Sequence, residues 1–285
     1  MLRPTLPRIG RSLGIFRRSL HRVPLLAHEF SKGVPGLLSP SGFDVAWTQY
    51  QKLMIDKLNL LTAGQDSIPP KELAIKYARD PAQAPTFNYA SMAHNNNFFF
   101  SCLTPDPKPM PAWLQTDLEA SFSSIETLRR EFILTTNAMF GPGFVWLMKT
   151  KQRKYAILTT YLAGSPYPAA HYRQQPVDMN TEDKSISEVM RKLNREPPAN
   201  SVGAHSGGAK TKGLAPGALD AQPILCINTW EHVYLPDYGH GTITGGGKKQ
   251  FAENWWQAID WEVVGANAGG PQYAGGTTNR SSFMI

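Results

Sequence analysis

The first half of the chain places apolar residues three and four positions apart, which is the spacing of an amphipathic helix. Between residues 43 and 61 this pattern continues for about five turns. The apolar positions are Phe43, Ala46, Trp47, Tyr50, Leu53, Met54, Leu58 and Leu61. Two further helices are predicted over residues 71–78 and 87–103, and the second of these ends before Pro105. The long helices predict a helical hairpin over residues 43–105.

Proline then marks a boundary between two halves of the chain. Prolines occupy alternate positions between residues 105 and 111, and because a helix cannot continue through such spacing, it predicts an extended hinge. Thr116 and Glu119 have the spacing of a capping box and predict the start of the next helix. The apolar face of that helix would consist of Leu118, Phe122, Ile125, Leu128 and Phe132.

The second half has the pattern of β-strands. Strands are predicted over residues 144–148, 155–162 and 223–228, and a final helix over 249–261. The fold class is therefore α+β, with an N-terminal helical hairpin and a C-terminal α/β domain over residues 106–264. An insert, residues 164–222, ends in a stretch rich in Gly, Ala, Ser and Lys that buries too little apolar surface to order itself. The tail, residues 265–285, is similar, and we predict that both segments are flexible.

Positive charge is concentrated at the N-terminus. The net charge is +7, but residues 1–28 hold six arginines and no acidic residue precedes Glu29. Without those arginines the chain has 23 basic and 22 acidic residues. An arginine-rich, acid-free leader that contains serine is typical of a mitochondrial transit peptide, which we predict over residues 1–28. A basic nucleic-acid-binding tail is the alternative. Residues 29–42, rich in Gly, Pro and Ser, would form a linker.

The apolar residues and the cysteines exclude two other classes of protein. The chain contains no run of eighteen apolar residues, so no membrane-spanning segment is expected. Cys102 and Cys226 are too few for a disulfide framework or a zinc site. Their apolar surroundings predict buried free thiols, which agrees with a reducing compartment.

Three segments resemble sequence motifs of the iron/manganese superoxide dismutases. Residues 228–234 are similar to the family's Asp-x-Trp-Glu-His-x-Tyr signature, and residues 96–105 to its His-x-Phe-x-Trp-x-x-x-x-Pro helix. Residues 140–147 are similar to Phe-Gly-Ser-Gly-Trp-x-Trp-Leu. The matches occur in the family's order and cover about residues 43–163 and 222–264. The resemblance implies the family's fold, in which the C-terminal domain has a three-stranded antiparallel sheet.

The resemblance also gives the positions that bind the metal in the family. They fall on Ala46, Asn96, Asn228 and His232, so one imidazole remains at four donor positions. A site for a redox metal needs three or four protein donors, and a neutral amide oxygen is a poor ligand for it. We therefore predict no metal, no cofactor and no catalytic residue.

Other positions around this site have changed as well. The family's gating tyrosine falls on Met54, and its solvent-binding glutamine falls near Ala163. His94 lies two positions from Asn96, on another face of the helix, and is predicted to be a hydrogen-bonded structural histidine. A slipped alignment would instead make it a second ligand. The asparagines at positions 95–97 predict a polar network in the space of the metal site, and the alternative is that they cap the helix or face solvent.

Glu231, His232 and Tyr234 are predicted to lie at a subunit interface. In the family this glutamate crosses the dimer interface and meets the partner's metal-binding histidine. A charge-assisted hydrogen bond of that kind fixes the register between two subunits. The alternative is that Trp230, Glu231 and His232 pack only within their own chain.

A chain that combines a transit peptide with a lost metal site resembles one group of proteins with this fold. These are the superoxide dismutase-like proteins of the small subunit of the mitochondrial ribosome, of the fungal type. The resemblance implies a structural component of that subunit in the mitochondrial matrix, and not an enzyme. Its partners would be a related superoxide dismutase-like subunit or a second copy, neighbouring ribosomal proteins and ribosomal RNA, but no membrane. The alternatives are an active iron/manganese superoxide dismutase of the matrix and a matrix interaction protein outside the ribosome.

One basic cluster is a candidate contact for RNA. Lys149, Lys151, Arg153 and Lys154 lie on the turn between the first two predicted strands. Such residues can neutralise phosphates. A solvated hairpin turn is the alternative interpretation.

Overall fold

The computed structural model describes residues 21–62, 68–78, 80–150, 153–167, 221–241 and 246–270. Its N-terminal half contains α1 (Pro40–Phe43), a π-helical turn (Asp44–Gln49), α2 (Tyr50–Leu61), α3 (Pro70–Tyr77), a 3-10 turn (Pro81–Gln83) and α4 (Ala84–Ser101). Helices α2 and α3 both pack against α4. The predicted helical hairpin is confirmed, and its first helix starts at Pro40 rather than at Phe43.

This earlier start has a local cause. Ser39 Oγ accepts a hydrogen bond from Gly42 N at 3.0 Å, and Pro40 occupies the first helical position, where no N–H is needed. The π-helical turn follows without a break, because the residues on either side of it keep helical backbone angles. It buries Ala46 and Trp47. Turns of this kind are frequent at functional sites.

The C-terminal half contains helices and a three-stranded sheet. Its elements are α5 (Ala112–Phe122), α6 (Ile125–Ala138), β1 (Gly143–Thr150), β2 (Tyr155–Tyr161), β3 (Ala221–Asn228), α7 (Glu231–Tyr238), α8 (Gly247–Gln257) and α9 (Trp261–Asn267). The strands form one sheet in the order β2-β1-β3, and β1 pairs antiparallel with both neighbours. The predicted α+β class and the three-stranded antiparallel sheet are confirmed. Among the described residues, no helix is long and apolar enough to cross a membrane.

The core is built around the central strand. Residues 143–148 of β1 are all buried, and since side chains alternate between the faces of a strand, both faces are covered. Helices α4 and α9 pack against β3, and α6 packs against β1. Cys102 and Cys226 are buried free thiols, as predicted.

The capping box predicted at Thr116 and Glu119 is wrong, because α5 already starts at Ala112. Thr116 Oγ1 lies within the helix and donates to Ala112 O at 3.0 Å. The predicted helix is also divided in two: Ser123 has a φ of 68°, and Ser124 caps α6. The apolar spacing continued across this break because both helices turn their apolar residues toward the same core.

Several predicted boundaries also change. The linker, residues 29–42, contributes buried side chains to the main core, namely Phe30, Val34, Leu37 and Leu38. Residues 21–28 of the predicted leader lie against the folded body, where Leu26 packs on the core.

The predicted tail would begin at Gly265, which lies inside α9. The predicted final helix ends at Gln257, and the chain starts a new helix at Trp261. Of the predicted insert, residues 168–220 lie outside the described residues.

Candidate functional site

The structure brings together three of the four residues that the family resemblance places at metal-binding positions. Ala46 lies in the π-helical turn, Asn96 in α4 and Asn228 at the end of β3, and all three are 0% exposed. Asn96 Nδ2 donates to Ala46 O at 3.2 Å, and Asn228 Nδ2 donates to Asn96 Oδ1 at 3.1 Å. Positions that are distant in the sequence therefore meet at Asn96.

Gln51 joins this group, although no role was predicted for it. It lies in the first turn of α2 and is 1% exposed. Its Oε1 accepts from Asn96 Nδ2 at 3.0 Å, and its Nε2 donates to Ala93 O at 2.9 Å. Asn228 Oδ1 accepts from Trp230 N at 3.0 Å. We call Gln51, Asn96 and Asn228 the amide cluster, in which every side-chain oxygen and nitrogen has a hydrogen-bond partner.

His232, the remaining donor position, lies in the first turn of α7. Its ring stacks on Tyr50, with the centroids 4.0 Å apart and the planes at 24°. Nε2 is buried and has no hydrogen-bond partner among the described residues. Burial lowers the pKa of this imidazole to about 4, so the ring is neutral at pH 7.

These residues do not fit a redox metal. Ala46 offers no side-chain donor, and the amide oxygens of Asn96 and Asn228 already accept hydrogen bonds. His232 alone keeps a free nitrogen, whereas such a site needs three or four donors. Within the described part of the chain, no three His, Cys, Asp or Glu side chains are grouped to hold a metal ion.

Comparisons with known proteins identify the fold family. The family model for iron/manganese superoxide dismutases, C-terminal domain, matches residues 110–178 and 208–267. Small ribosomal subunit protein mS42 of Schizosaccharomyces pombe is 28% identical over 202 residues, which are 68% of this chain and 71% of that protein. The chain is an iron/manganese superoxide dismutase-like protein.

Two further relatives are a second ribosomal protein and a superoxide dismutase. Small ribosomal subunit protein mS43 of Schizosaccharomyces pombe is 26% identical over 255 residues, which are 86% of this dismutase-like chain and 82% of that protein. The iron superoxide dismutase of Salmonella typhimurium is 24% identical over 182 residues, which are 64% of this chain and 65% of the enzyme. Whether the dismutase-like chain resembles the ribosomal proteins or the enzyme in its chemistry depends more on the residues at the former metal positions than on overall identity.

Met54 and Ala163, which the resemblance places at this site, also lack a polar side chain in this dismutase-like chain. Met54, at the position of the family's gating tyrosine, is 6% exposed. Ala163 presents only its carbonyl oxygen, which accepts from Ser91 Oγ at 2.7 Å. Neither side chain can donate a hydrogen bond to a metal-bound solvent molecule. Two further positions that the resemblance assigns to the family's site thus carry no side-chain hydrogen-bond donor.

His94 has the structural role that its helix position predicted. Its Nε2 lies 2.8 Å from Tyr167 Oη, and burial lowers the pKa of His94 to about 3. Beside it, Asn95 Nδ2 donates to Gly164 O at 2.9 Å. These contacts hold the chain that follows β2 against α4. Of the predicted asparagine network, only Asn96 belongs to the amide cluster.

The three predicted interface residues differ in how far a partner could reach them. Glu231 and His232 are both half-buried. Tyr234 is 7% exposed and stacks on Phe251 at 5.9 Å, so its side chain packs inside its own chain. Trp230 Nε1 is buried without a hydrogen-bond partner among the described residues. Tyr50 and Trp230 line an open cleft of about 950 Å³ between α2, α4 and the end of β2.

The predicted basic turn is only partly available to an anion. Lys149 Nζ donates to Ala268 O at 2.6 Å and lies 5.7 Å from the centre of the Tyr155 ring. Arg153 and Lys154 are exposed. Lys151 lies outside the described residues.

Acid is expected to destabilise this protein through His94 and His232, two histidines whose pKa values are lowered by desolvation. The unfolded chain binds protons near pH 6.5 that folded His232 and His94 do not accept, because their folded pKa values are about 4 and 3. The stability that depends on these two histidines is therefore fully present above pH 6.5, and it is lost as the pH drops toward 4. His232 alone accounts for roughly 3 kcal/mol of that loss.

Urea denaturation between pH 7 and pH 4 measures this slope. His232→Gln should make this slope shallower, and the contribution of His94 should remain. Identical slopes for His232→Gln and the unmodified protein would contradict the assignment.

Proposed function

We propose that this chain is a structural component of the small subunit of the mitochondrial ribosome, where a metal-free dismutase-like fold provides contacts to protein and RNA without catalysis. One observation carries the proposal. A fully hydrogen-bonded amide cluster fills the former metal positions of a chain that is similar, over much of its length, to two proteins named as small ribosomal subunit proteins.

The amide cluster suits a scaffold better than an enzyme. Buried amides that are all paired hold the π-helical turn, α2, α4 and β3 in one arrangement. Their oxygens carry no charge and already accept hydrogen bonds, so they are poor ligands for an oxidisable ion. Such an interior keeps the outer surface in a fixed shape, which is what a ribosomal component needs for its contacts.

The proposed location is the mitochondrial matrix. The arginine-rich, acid-free leader supports import, and two buried free thiols agree with a reducing compartment. Contacts to ribosomal RNA would come from exposed basic residues such as Arg153 and Lys154. With a nearly balanced charge outside the leader, neighbouring proteins would supply the rest of the attachment.

The proposed pairing surface lies around Glu231 and His232, and the partner is a related dismutase-like subunit or a second copy. Three features support it: Glu231 is half-buried, Trp230 Nε1 has no hydrogen-bond partner among the described residues, and Trp230 lines the open cleft. A carboxylate that reaches the imidazole of a partner would form a charge-assisted hydrogen bond.

Replacing Glu231 with alanine should therefore weaken pairing roughly tenfold or more, because the imidazole it meets would lose its acceptor. Thermal unfolding of the separated chain should hardly change, since the half-buried side chain of Glu231 makes no hydrogen bond or ion pair with the described residues. Analytical ultracentrifugation with the co-expressed partner measures the affinity. Glu262→Ala is the matched control, because Glu262 also lies in the first turn of a helix and, among the described residues, forms an ion pair with the exposed Lys108. Equal losses for the two variants would contradict the pairing surface.

Sedimentation of a mitochondrial extract in high salt tests the proposed function. The protein should migrate with the small ribosomal subunit. When the subunit is dissociated, the sedimentation positions of the protein and of the subunit should change together. A slow peak of free protein would instead favour an interaction role outside the ribosome. Metal analysis of the purified protein completes the test, since stoichiometric iron or manganese would favour an active dismutase.

A further inference from the structure

Residues 21–30 form an extended segment on the surface of the folded body, which we call the N-terminal strap. Alternate residues face the body: Pro24, Leu26 and His28 are half-buried and Phe30 is 2% exposed. The residues between them are exposed, and Leu25 reaches 97%. A period of two is that of an extended chain with one face on a surface.

The strap is anchored to α2 at its first described residue. Asn59 Oδ1 accepts from His21 N at 2.7 Å, and Asn59 Nδ2 donates to His21 O at 2.9 Å. One side-chain amide thus satisfies both backbone groups of His21, as a neighbouring strand would. This pairing is a property of the backbone, so it fixes the path of the chain whatever side chain position 21 carries.

A second anchor joins the strap to α9. His28 Nε2 lies 3.6 Å from Asp260 Oδ2. The other oxygen of this carboxylate accepts from Glu262 N and Val263 N and so caps α9. Phe30 follows at once, and its ring lies 5.7 Å from that of Phe43 at the end of α1. The strap therefore connects three helices that are distant in the sequence.

We infer that residues 21–28 are retained in the mature protein and that the presequence is removed by cleavage on the N-terminal side of His21. The inference rests on the proposed function, because it requires import into mitochondria. It moves the end of the leader upstream from residue 28, the limit that charge alone indicated. Hydrolysis of one peptide bond by a matrix endoprotease consumes a water molecule, releases the leader with a new carboxylate and leaves a new α-amino group on the mature chain.

Charge and hydrogen bonding both favour this boundary. Five of the six leader arginines precede His21, and Arg17 and Arg18 lie directly upstream, so the charge pattern of a presequence is complete without the strap. Whether a terminal segment can be removed depends on the burial and hydrogen bonding of its backbone. Cleavage at residue 28 would leave the amide of Asn59 without His21, remove the partner of Asp260 and uncover Phe30.

The N-terminus of the endogenous protein is the direct test. Mitochondria are purified, the protein is isolated, and its N-terminal peptide is identified by mass spectrometry. The mature chain should begin after Met1 and no later than His21. A first residue at Arg22 or beyond, or an uncut Met1, would overturn the inference. The readout does not depend on sedimentation, so a protein that is processed as expected but migrates apart from the ribosome rejects only the proposed function.

A second measurement tests the strap itself. Asn59→Ala in the full chain should lower the melting temperature by about 3 °C, because it removes both hydrogen bonds to His21. The same substitution in a chain that starts at Glu29 should have no effect, and failure of that shortened chain to fold would equally support the strap. Lys57→Ala, at an exposed position of the same helix, is the control. An unchanged melting temperature for Asn59→Ala in the full chain would show that the strap is not an anchored part of the fold.

Discussion

Replacing Asn96 with alanine is expected to lower the free energy of unfolding by about 4 kcal/mol, one of the two largest effects we predict. Asn96 is 0% exposed and lies between Gln51 and Asn228 in the amide cluster. Without it, Gln51 Oε1 and Asn228 Nδ2 stay buried without partners, and each such group costs about 1–3 kcal/mol. The cavity left by the missing amide adds to the loss.

Denaturation in urea measures this difference, and Asn97→Ala is the matched control. Asn97 is the next residue on the same helix, is half-buried and lies outside the amide cluster, so its replacement should cost about 1 kcal/mol or less. Combining Asn96→Ala with Asn228→Ala should cost less than the two single losses added together, because they remove the same hydrogen bond. Additive losses, or equal losses at positions 96 and 97, would show that the amide cluster does not act as a unit.

The parts of the fold that the sequence predicted are those that depend on burial. The apolar spacing from Phe43 to Leu61 and the strand-like run at residues 144–148 identify elements that contribute side chains to the core, although Leu53 and Leu61 are exposed. The helical spacing reflects one face turned away from water, whereas the continuous apolar run of β1 reflects a strand buried on both faces. The three-stranded antiparallel sheet was implied by the family resemblance and not by these patterns, because local spacing carries no information about pairing.

The remaining features depend on single backbone angles or on contacts between distant segments. The break at Ser123 requires a positive φ at a serine, and the π-helical turn leaves no mark in apolar spacing. Residues 29–42 looked like a linker because glycine and proline dominate their composition, whereas their few apolar side chains are buried. In each case the tertiary fold decides the conformation and local propensity does not.

The amide cluster shows the same limit within the candidate site. The family resemblance placed Ala46, Asn96 and Asn228 at the former ligand positions, but it did not indicate that their groups bond to one another. A signal for Gln51 was present, because it follows Trp47 by four residues and precedes Met54 by three, which puts a polar side chain on the apolar face of the helix. A buried glutamine at such a position needs partners, and the amide of Asn96 and the carbonyl of Ala93 supply them.

Restoring the family's ligands is the other change with a large expected outcome. The triple variant Ala46→His, Asn96→His, Asn228→Asp recreates the full donor set with His232. We expect its dismutase activity, after loading with iron or manganese, to stay at least about 100-fold below that of an active enzyme, because the groups that orient the ligands and the bound solvent are missing. We also expect a lower melting temperature than that of the unmodified protein.

The surroundings of each position explain this outcome. Ala46 is 0% exposed in a tightly packed turn, so an imidazole there must displace its neighbours. Gln51 Oε1 would lose the donor that it has in Asn96. Met54 and Ala163 offer no side-chain donor for metal-bound solvent, and adding ligands does not change that. The new donors would therefore enter a pocket whose hydrogen bonds are arranged for amides.

Metal content by mass spectrometry and superoxide consumption, measured on the same sample, separate binding from catalysis. Asn228→Asp alone is the control: its carboxylate faces Asn96 Oδ1 in place of a donor, so it should lose stability without gaining metal. If the triple variant binds metal but remains inactive, the groups that orient the ligands and the bound solvent are what this chain lacks. If it approaches the rate of an active enzyme, the pocket has kept the catalytic surroundings that Met54 and Ala163 indicate it has lost, and its amides are a recent substitution in an otherwise intact site.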